Sequence, residues 1–320
     1  MTRPAVPIAD AVATPPRLLS PLVLACLAAT WLVWGSTYLA IKFALLSLPP
    51  FFQMGTRFLA AGGLLLAWMR WRGAPWPTRR QWRNAVVVGT LMLGGGMGGT
   101  AVAEQSVGSG LVVAFIAVVP VMMALLNWAE GRRPRAFEAA GIGVGLAGVL
   151  MLTQGAGFRA SPAGLLAVAV SSAAWSVGSV LSQRRLRLAP GAMGFASEML
   201  CGGAVLLGVA ALTGESPRQP LQPLAVAAWG YLVVFGSLVA FSAYMVLLAR
   251  APAALVSSYA FVNPLIAMLL GVAVAGEVVT RYEWAAAGVV VAGVLLLLAD
   301  RRTPAVAAGT PLKPASCASE

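Results

Sequence analysis

Few side chains in this 320-residue chain could do chemistry, and they are scattered through apolar sequence. Arg57 follows the Pro49-Pro50 break and lies roughly 10 Å into an apolar run at 1.5 Å per residue. Glu198 stands inside the stretch MGFASEMLCGG, and Glu104 closes the run that begins at Ala85. Such groups are costly enough in apolar surroundings that they normally face a cavity or a partner. Arg57 suits the anchoring of an anionic group, such as a carboxylate, or a gate charge; the competing reading is a structural pairing with Glu104. Glu198 is a candidate proton carrier, with Glu104 as a second carboxylate. Its competing reading is a buried acid held by neighbouring Ser or backbone, or paired with Arg184, Arg185 or Arg187.

The backbone and the aromatic residues offer further candidates. Pro120 and Pro264 each fall near the middle of an apolar run, and each frees a carbonyl four residues earlier, at Ile116 and Ala260. Free carbonyls at that depth are tolerated where they line a polar cavity; the alternative is a packing kink. Tyr259 and Asn263 stand beside Pro264 and add polar groups within reach of a ligand. Trp31, Trp34 and Tyr38 are spaced i, i+3 and i+7 and share one helical face. With Trp175 and Tyr244 they could wall an aromatic cavity suited to varied organic solutes. The glycine run from Gly94 to Gly99, and the Gly141-xxx-Gly145 pair, allow close helix approach.

Other chemistry is excluded or weak. There is no histidine, and Asp occurs only at Asp10 and Asp300. Cys26, Cys201 and Cys317 have no metal-ligand spacing. HExxH, GxSxG and a phosphate-binding G-x-x-x-x-G-K-[ST] are all absent. The reading is no metal, no cofactor and no enzyme.

The elements that must position these residues follow from composition. With 59% hydrophobic residues, 10% charged residues and a mean hydropathy of +0.85, nothing would cover the surface of a water-soluble globule. The chain reads as an all-α integral membrane protein, its apolar runs being continuous rather than alternating. Ten spans are expected, at 22–41, 51–71, 85–104, 109–129, 138–154, 162–182, 192–213, 224–248, 254–275 and 284–299. The chain also repeats itself. Trp34-Gly35-Ser36 returns as Val177-Gly178-Ser179, Val119-Pro120 as Asn263-Pro264, and Gly131, Glu138 and Gly148 as Gly276, Glu283 and Gly293. One unit of roughly 140 residues therefore occurs twice. The expected repeats are 22–155 and 160–300, flanked by disordered cytoplasmic tails at 1–21 and 303–320.

Five spans per unit is an odd number, so the second copy starts from the opposite side and the repeats are inverted. Charge supports that count. With both ends cytoplasmic, only Lys42, Arg159, Arg218 and Arg281 of the 22 Lys and Arg fall outside, and Arg57 alone lies within a span; this is the expected inside excess. The net charge of +12 then reads as topology and contact with anionic lipid, not nucleic-acid binding. Trp71, Trp76 and Trp82 among the inner arginines fit an interfacial aromatic belt.

The stretch WGSTYLAIKFALLSLPPFFQMGTRFLAAG, Trp34 to Gly62, resembles the opening of an EamA-type repeat of the drug/metabolite transporter superfamily. Gly236 to Glu277 resembles the matching later part, and the resemblance covers about residues 20–300. Within the superfamily the chain is most similar to the bacterial drug/metabolite exporter group. Family motif positions are matched at Trp34, Gly35, Ser36, Lys42 and Arg57. The family's Ala-Glu-His reads Ala103-Glu104-Gln105 here, so a role for that histidine is absent. The resemblance implies a ten-helix inverted-repeat carrier of the bacterial inner membrane, commonly an exporter of amino acids, other metabolites or drug-like compounds. The expected function is secondary active export by alternating access, with a small-molecule solute and membrane lipid as partners. Monomer and homodimer both stay open. Import on the same fold is one alternative; a membrane-embedded lipid-handling protein or enzyme is another.

Overall fold

The structure is a computed structural model, and it describes residues 20–106, 112, 116–154, 161–275 and 280–299. The expected tails, and parts of the predicted fourth span at 109–129, lie outside the described residues. Among the described residues the regular structure is entirely helical.

Local sequence explains where the helices begin and end. Helix α1 (Pro21–Ala44) starts with Pro in its first turn after Ser20, whose Oγ accepts from the Val23 N–H. Helix α2 (Pro50–Trp71) begins at the Pro49-Pro50 pair and ends before Gly73, whose φ of +81° favours glycine. Helix α3 (Arg79–Ala103) opens on a capping box between Thr78 and Gln81. It starts before the expected Ala85 because that box lets the basic first turn join the helix. Helices α4 (Val119–Ala129), α5 (Ala136–Thr153), α6 (Pro162–Arg184) and α7 (Ala192–Leu212) follow. Then come α8 (Pro223–Arg250) and α9 (Tyr259–Ala275), the latter preceded by the single turn Ala253–Val256, and α10 (Arg281–Ala299). Helices α3 and α8 each widen to π geometry midway, at Thr90–Gly98 and Leu232–Val239.

Among the described residues seven helices are long and apolar enough to cross a membrane: α1, α3, α6, α7, α8, α10, and α9 taken from Ala253. Helices α4 and α5 are apolar but shorter. Helix α2 has the length, but Gln53, Arg57 and Arg70 lower its apolarity.

The two expected proline breaks come out differently. Pro120 lies in the first turn of α4, where its missing N–H would have no partner anyway. Pro264 lies inside α9, and the interruption falls earlier, at the Ser257-Ser258 turn, where Ser257 Oγ donates to the Ala253 carbonyl and Ser258 Oγ to that of Leu255. Serine hydroxyls turn the chain at this point more readily than the proline does.

The helices pack in a pattern that survives exchange of the two halves. Helix α2 lies on α7, and α5 on α10; α1 contacts α8 and α9, while α6 contacts α3 and α4. Small residues set these seams. A Cβ on Gly55 would meet Leu207 at 2.8 Å and one on Gly62 would meet Met199 at 2.9 Å, so α2 and α7 run antiparallel. Gly141 faces Leu297 and Gly148 faces Val290, so α5 and α10 do the same. Lipid tails are as apolar as leucine, so close van der Waals packing at such notches has to replace the hydrophobic effect as the source of helix pairing. At Gly293 a Cβ would lie 2.5 Å from the Gly145 backbone nitrogen, whereas at Gly288 nothing lies within 4 Å. Gly293→Ala is therefore expected to destabilise the protein by about 1–3 kcal/mol, and Gly288→Ala to be near neutral, in thermal melts in detergent. Equal melting temperatures for the two variants would show that this seam is not close-packed.

Candidate functional site

The centre of the molecule is a buried cluster of aromatic rings drawn from four helices. Trp34 of α1 lies 5.5 Å from Trp175 of α6, 5.0 Å from Tyr244 of α8 and 4.8 Å from Tyr259 of α9, centroid to centroid. Edge-to-face and tilted pairs at this spacing are the favoured geometry of aromatic quadrupoles. The polar edges are satisfied internally. Trp34 Nε1 donates to the Gly236 carbonyl at 3.3 Å, Trp175 Nε1 donates to Tyr244 Oη at 3.1 Å, and Tyr244 Oη pairs with Ser179 Oγ at 2.8 Å. The carbonyl that receives Trp34 lies in the π segment of α8.

Against one side of this cluster lies a small cavity of about 40 Å³, room for water-sized groups in the packing of this state. Its wall combines Trp34, Tyr38, Trp175 and Tyr259 with hydroxyls from Thr37, Thr100, Ser171 and Ser172, and with Ile116 and Val119 beside the start of α4. Among the described residues no charged side chain lines it. Most of these hydroxyls are engaged: Ser171 Oγ donates to the Gly96 carbonyl at 2.5 Å and pairs with Thr100 Oγ1 at 2.9 Å. Ser172 Oγ is buried without a hydrogen-bond partner. That hydroxyl is free to meet a solute.

The residues singled out from sequence divide by distance from this space. Trp34, Tyr38 and Tyr259 line it. Asn263 is fully buried, with Nδ2 donating to Tyr38 Oη at 3.4 Å and Oδ1 unpartnered. Arg57 stands one layer back: its Nε donates to Ser237 Oγ at 2.7 Å, and its guanidinium lies against Gly236 and 4.9 Å over the Phe58 ring. Gly236 thus touches both Arg57 and Trp34. Trp31 shares a face with Trp34 in sequence, yet it turns away and donates to Ser258 Oγ at 3.0 Å. Its i, i+3 relation spans enough of the helix circumference for another neighbour to claim it.

The expected structural pairings are not found among the described residues. Arg57 forms no ion pair with Glu104; the cation that acts on Glu104 is Lys42 of α1, and both Glu104 oxygens are buried without a hydrogen-bond partner. Glu198 is fully buried, and both its oxygens also lack a partner. Arg184 and Arg185 turn to Glu130 instead, the latter at 2.6 Å. Cys26 and Cys201 are free thiols, and among the described residues no group of His, Cys, Asp and Glu could hold a metal ion.

Ser171, Ser172, Thr37 and Thr100 went unremarked in the sequence. The signal was present: Ser172, Ser176 and Ser179 share a face of α6 with Trp175 close by, and a hydroxyl stripe through a span is a sign of something other than lipid.

The chain is similar to known proteins. The EamA-like transporter family's model matches residues 19–154 and again residues 162–299. A protein of Escherichia coli K12 named "Uncharacterized inner membrane transporter YedA" is 40% identical over 282 residues, covering 88% of this chain and 92% of its own. Protein PecM of Dickeya dadantii is 28% identical over 248 residues, covering 75% of this chain and 80% of its own. A solved crystal structure shares the fold with a TM-score of 0.70 at 22% identity, covering 86% of this chain and 95% of that one.

Proposed function

The chain belongs to the EamA-like transporter family, and from that premise we propose that it is a secondary carrier exporting small organic solutes across a bacterial inner membrane by alternating access. The solutes in view are amino acids, related metabolites and drug-like compounds. What carries the reading is the cavity between the two halves, walled by aromatic rings and hydroxyls and holding one hydroxyl with no partner of its own. Such a wall suits solutes with a flat or apolar body and a few hydrogen-bonding groups.

In this reading the chain spans the membrane ten times as two inverted five-helix repeats, 22–155 and 160–300, with both ends cytoplasmic. The antiparallel pairing of α2 with α7 and of α5 with α10 supports it, since counterparts in inverted repeats run in opposite directions. On that orientation the cavity lies in the outer half. The inner end is held shut by the aromatic cluster and by Glu130, which bridges to Arg185. Trp34, Tyr38 and Tyr259 bind the solute, Asn263 positions Tyr38, and Arg57 orders the π segment of α8 behind Trp34. The Pro120 and Pro264 helices carry the rocking, and Glu198 and Glu104 are the groups available for coupling to protons.

The test is solute movement by purified protein in liposomes, with the solute recovered unchanged in mass. Recovery of a chemically altered solute would favour an enzyme and overturn the reading. Net accumulation in vesicles of one sidedness only separates export from import. Ser172→Ala is expected to weaken apparent affinity about 5- to 10-fold, the worth of one hydrogen bond, without lowering the melting temperature, because Ser172 Oγ bonds nothing in the protein. Unchanged affinity would remove Ser172 from the site.

A further inference from the structure

A second concave site lies at the end of the bundle where α3 begins and α6 finishes. It is a groove of about 460 Å³ lined by Arg80, Arg184, Arg185 and Arg187, with Thr78, Gln81 and Asn84 between them. Arg132 and Arg185 both repel Arg184, so the cationic cluster extends to the turn after α4. Among the described residues one carboxylate answers it. Glu130 lies 2.6 Å from Arg185 and 4.0 Å from Arg184. Among the described residues no carboxylate forms an ion pair with Arg80 or Arg187.

The groove is part of the fold's framework. Asn84 is 3% exposed and donates from Nδ2 to the Arg187 carbonyl at 2.9 Å, which ties the segment after α6 to α3. Exposed Trp68, Trp71 and Trp76 lie at the same end, Trp76 with Arg70 4.9 Å over its ring. Tryptophans in such a setting mark the boundary between lipid and water.

Several guanidinium groups converging on one groove with a single nearby acid create a positive potential that a phosphate relieves, and arginine binds phosphate in a planar, two-point manner. Basic pockets between membrane helices at headgroup depth meet such phosphates on lipids. We propose that this groove is a phosphate-binding site, filled by the headgroup of an anionic phospholipid. Because Arg184 and Arg185 also hold Glu130, a phosphate there competes for the contact that ties the α4–α5 turn to α6. The site does not depend on which solute the central cavity takes.

The experiment measures the melting temperature of the purified full-length protein with added phosphatidylglycerol, phosphatidylcholine or inorganic phosphate. Phosphatidylglycerol is expected to raise it by about 2–4 °C, and the Arg80→Gln/Arg187→Gln double variant to lose most of that rise. Arg83→Gln, exposed and outside the groove, is expected to keep it. A rise with inorganic phosphate alone, lost in the double variant, supports the phosphate site and assigns it to a free anion. An equal rise with phosphatidylcholine, whose choline cancels the phosphate charge, or a full rise in the double variant, overturns the proposal.

Discussion

Arg57→Met is expected to cut transport at least tenfold while leaving the melting temperature unchanged or higher. Arg57 is 1% exposed, and its hydrogen bonds are one to Ser237 Oγ at 2.7 Å and a weak one to Met54 Sδ at 3.5 Å. A guanidinium carries five N–H donors, and among the described residues no carboxylate pairs with this one. Burying a charge without a counter-ion costs several kcal/mol, and an apolar residue of similar volume removes that cost. The hydrogen bond to Ser237 is worth about 1.5–3 kcal/mol in return, so stability should not fall. An unfavourable charge that the fold nevertheless buries beside the wall of its cavity is more economically explained by transport than by stability. Measured together, a lower melting temperature with normal transport would make Arg57 a structural residue. Arg57→Lys separates charge from shape: the ammonium cannot contact Ser237 and the Phe58 face at once, so partial recovery at most is expected.

The second large effect is expected at Glu198→Gln. Accumulation driven by a pH gradient across liposomes should collapse to the equilibrium level, while exchange of solute across the membrane persists. Glu198 is 0% exposed, and neither oxygen has a hydrogen-bond partner. It lies on α7 where that helix meets α3 at Gly89, and its charge would be felt by Tyr244 in the aromatic cluster and by Cys201 on its own helix. Gln keeps the shape and removes the ionisable proton, so loss of gradient-driven accumulation isolates proton carriage from packing. Undiminished accumulation would exclude Glu198 as the coupling group and turn attention to Glu104. Glu198 and Arg57 also fall at neighbouring positions of the repeat, Arg57 matching Ser197 in the register that aligns Gly62-Gly63 with Gly202-Gly203. Each sits in the early turns of α7 or α2, and those helices pack antiparallel, so this buried acid and this buried base lie toward opposite ends of the same helix pair.

What was legible in the sequence was whatever depends on local composition and period. Continuous apolar runs exclude a soluble globule because lipid demands internally bonded helices, and the return of Trp34-Gly35-Ser36 and of Gly131, Glu138 and Gly148 discloses the duplication without any structure. Gly141 and Gly145 announced a close seam, since a missing side chain is itself a notch; the structure supplies the partner, Gly293. Trp34 and Tyr38 could be placed on one face, because helical spacing alone does that.

Only the tertiary structure decided which faces meet. In lipid an apolar face gains nothing by choosing one apolar neighbour over another, so pairing is settled by shape and by scattered hydrogen bonds. For that reason the joining of Trp34 with Trp175, Tyr244 and Tyr259, from segments more than a hundred residues apart, could be suggested from sequence but not located. The same reason governs the charges. Arg57 and Glu104 are complementary in the sequence, yet Arg57 meets Ser237, Lys42 is the cation near Glu104, and Arg184 and Arg185 take Glu130 rather than Glu198. Charge complementarity says which groups could pair; the packing of the helices decides which of them come within reach.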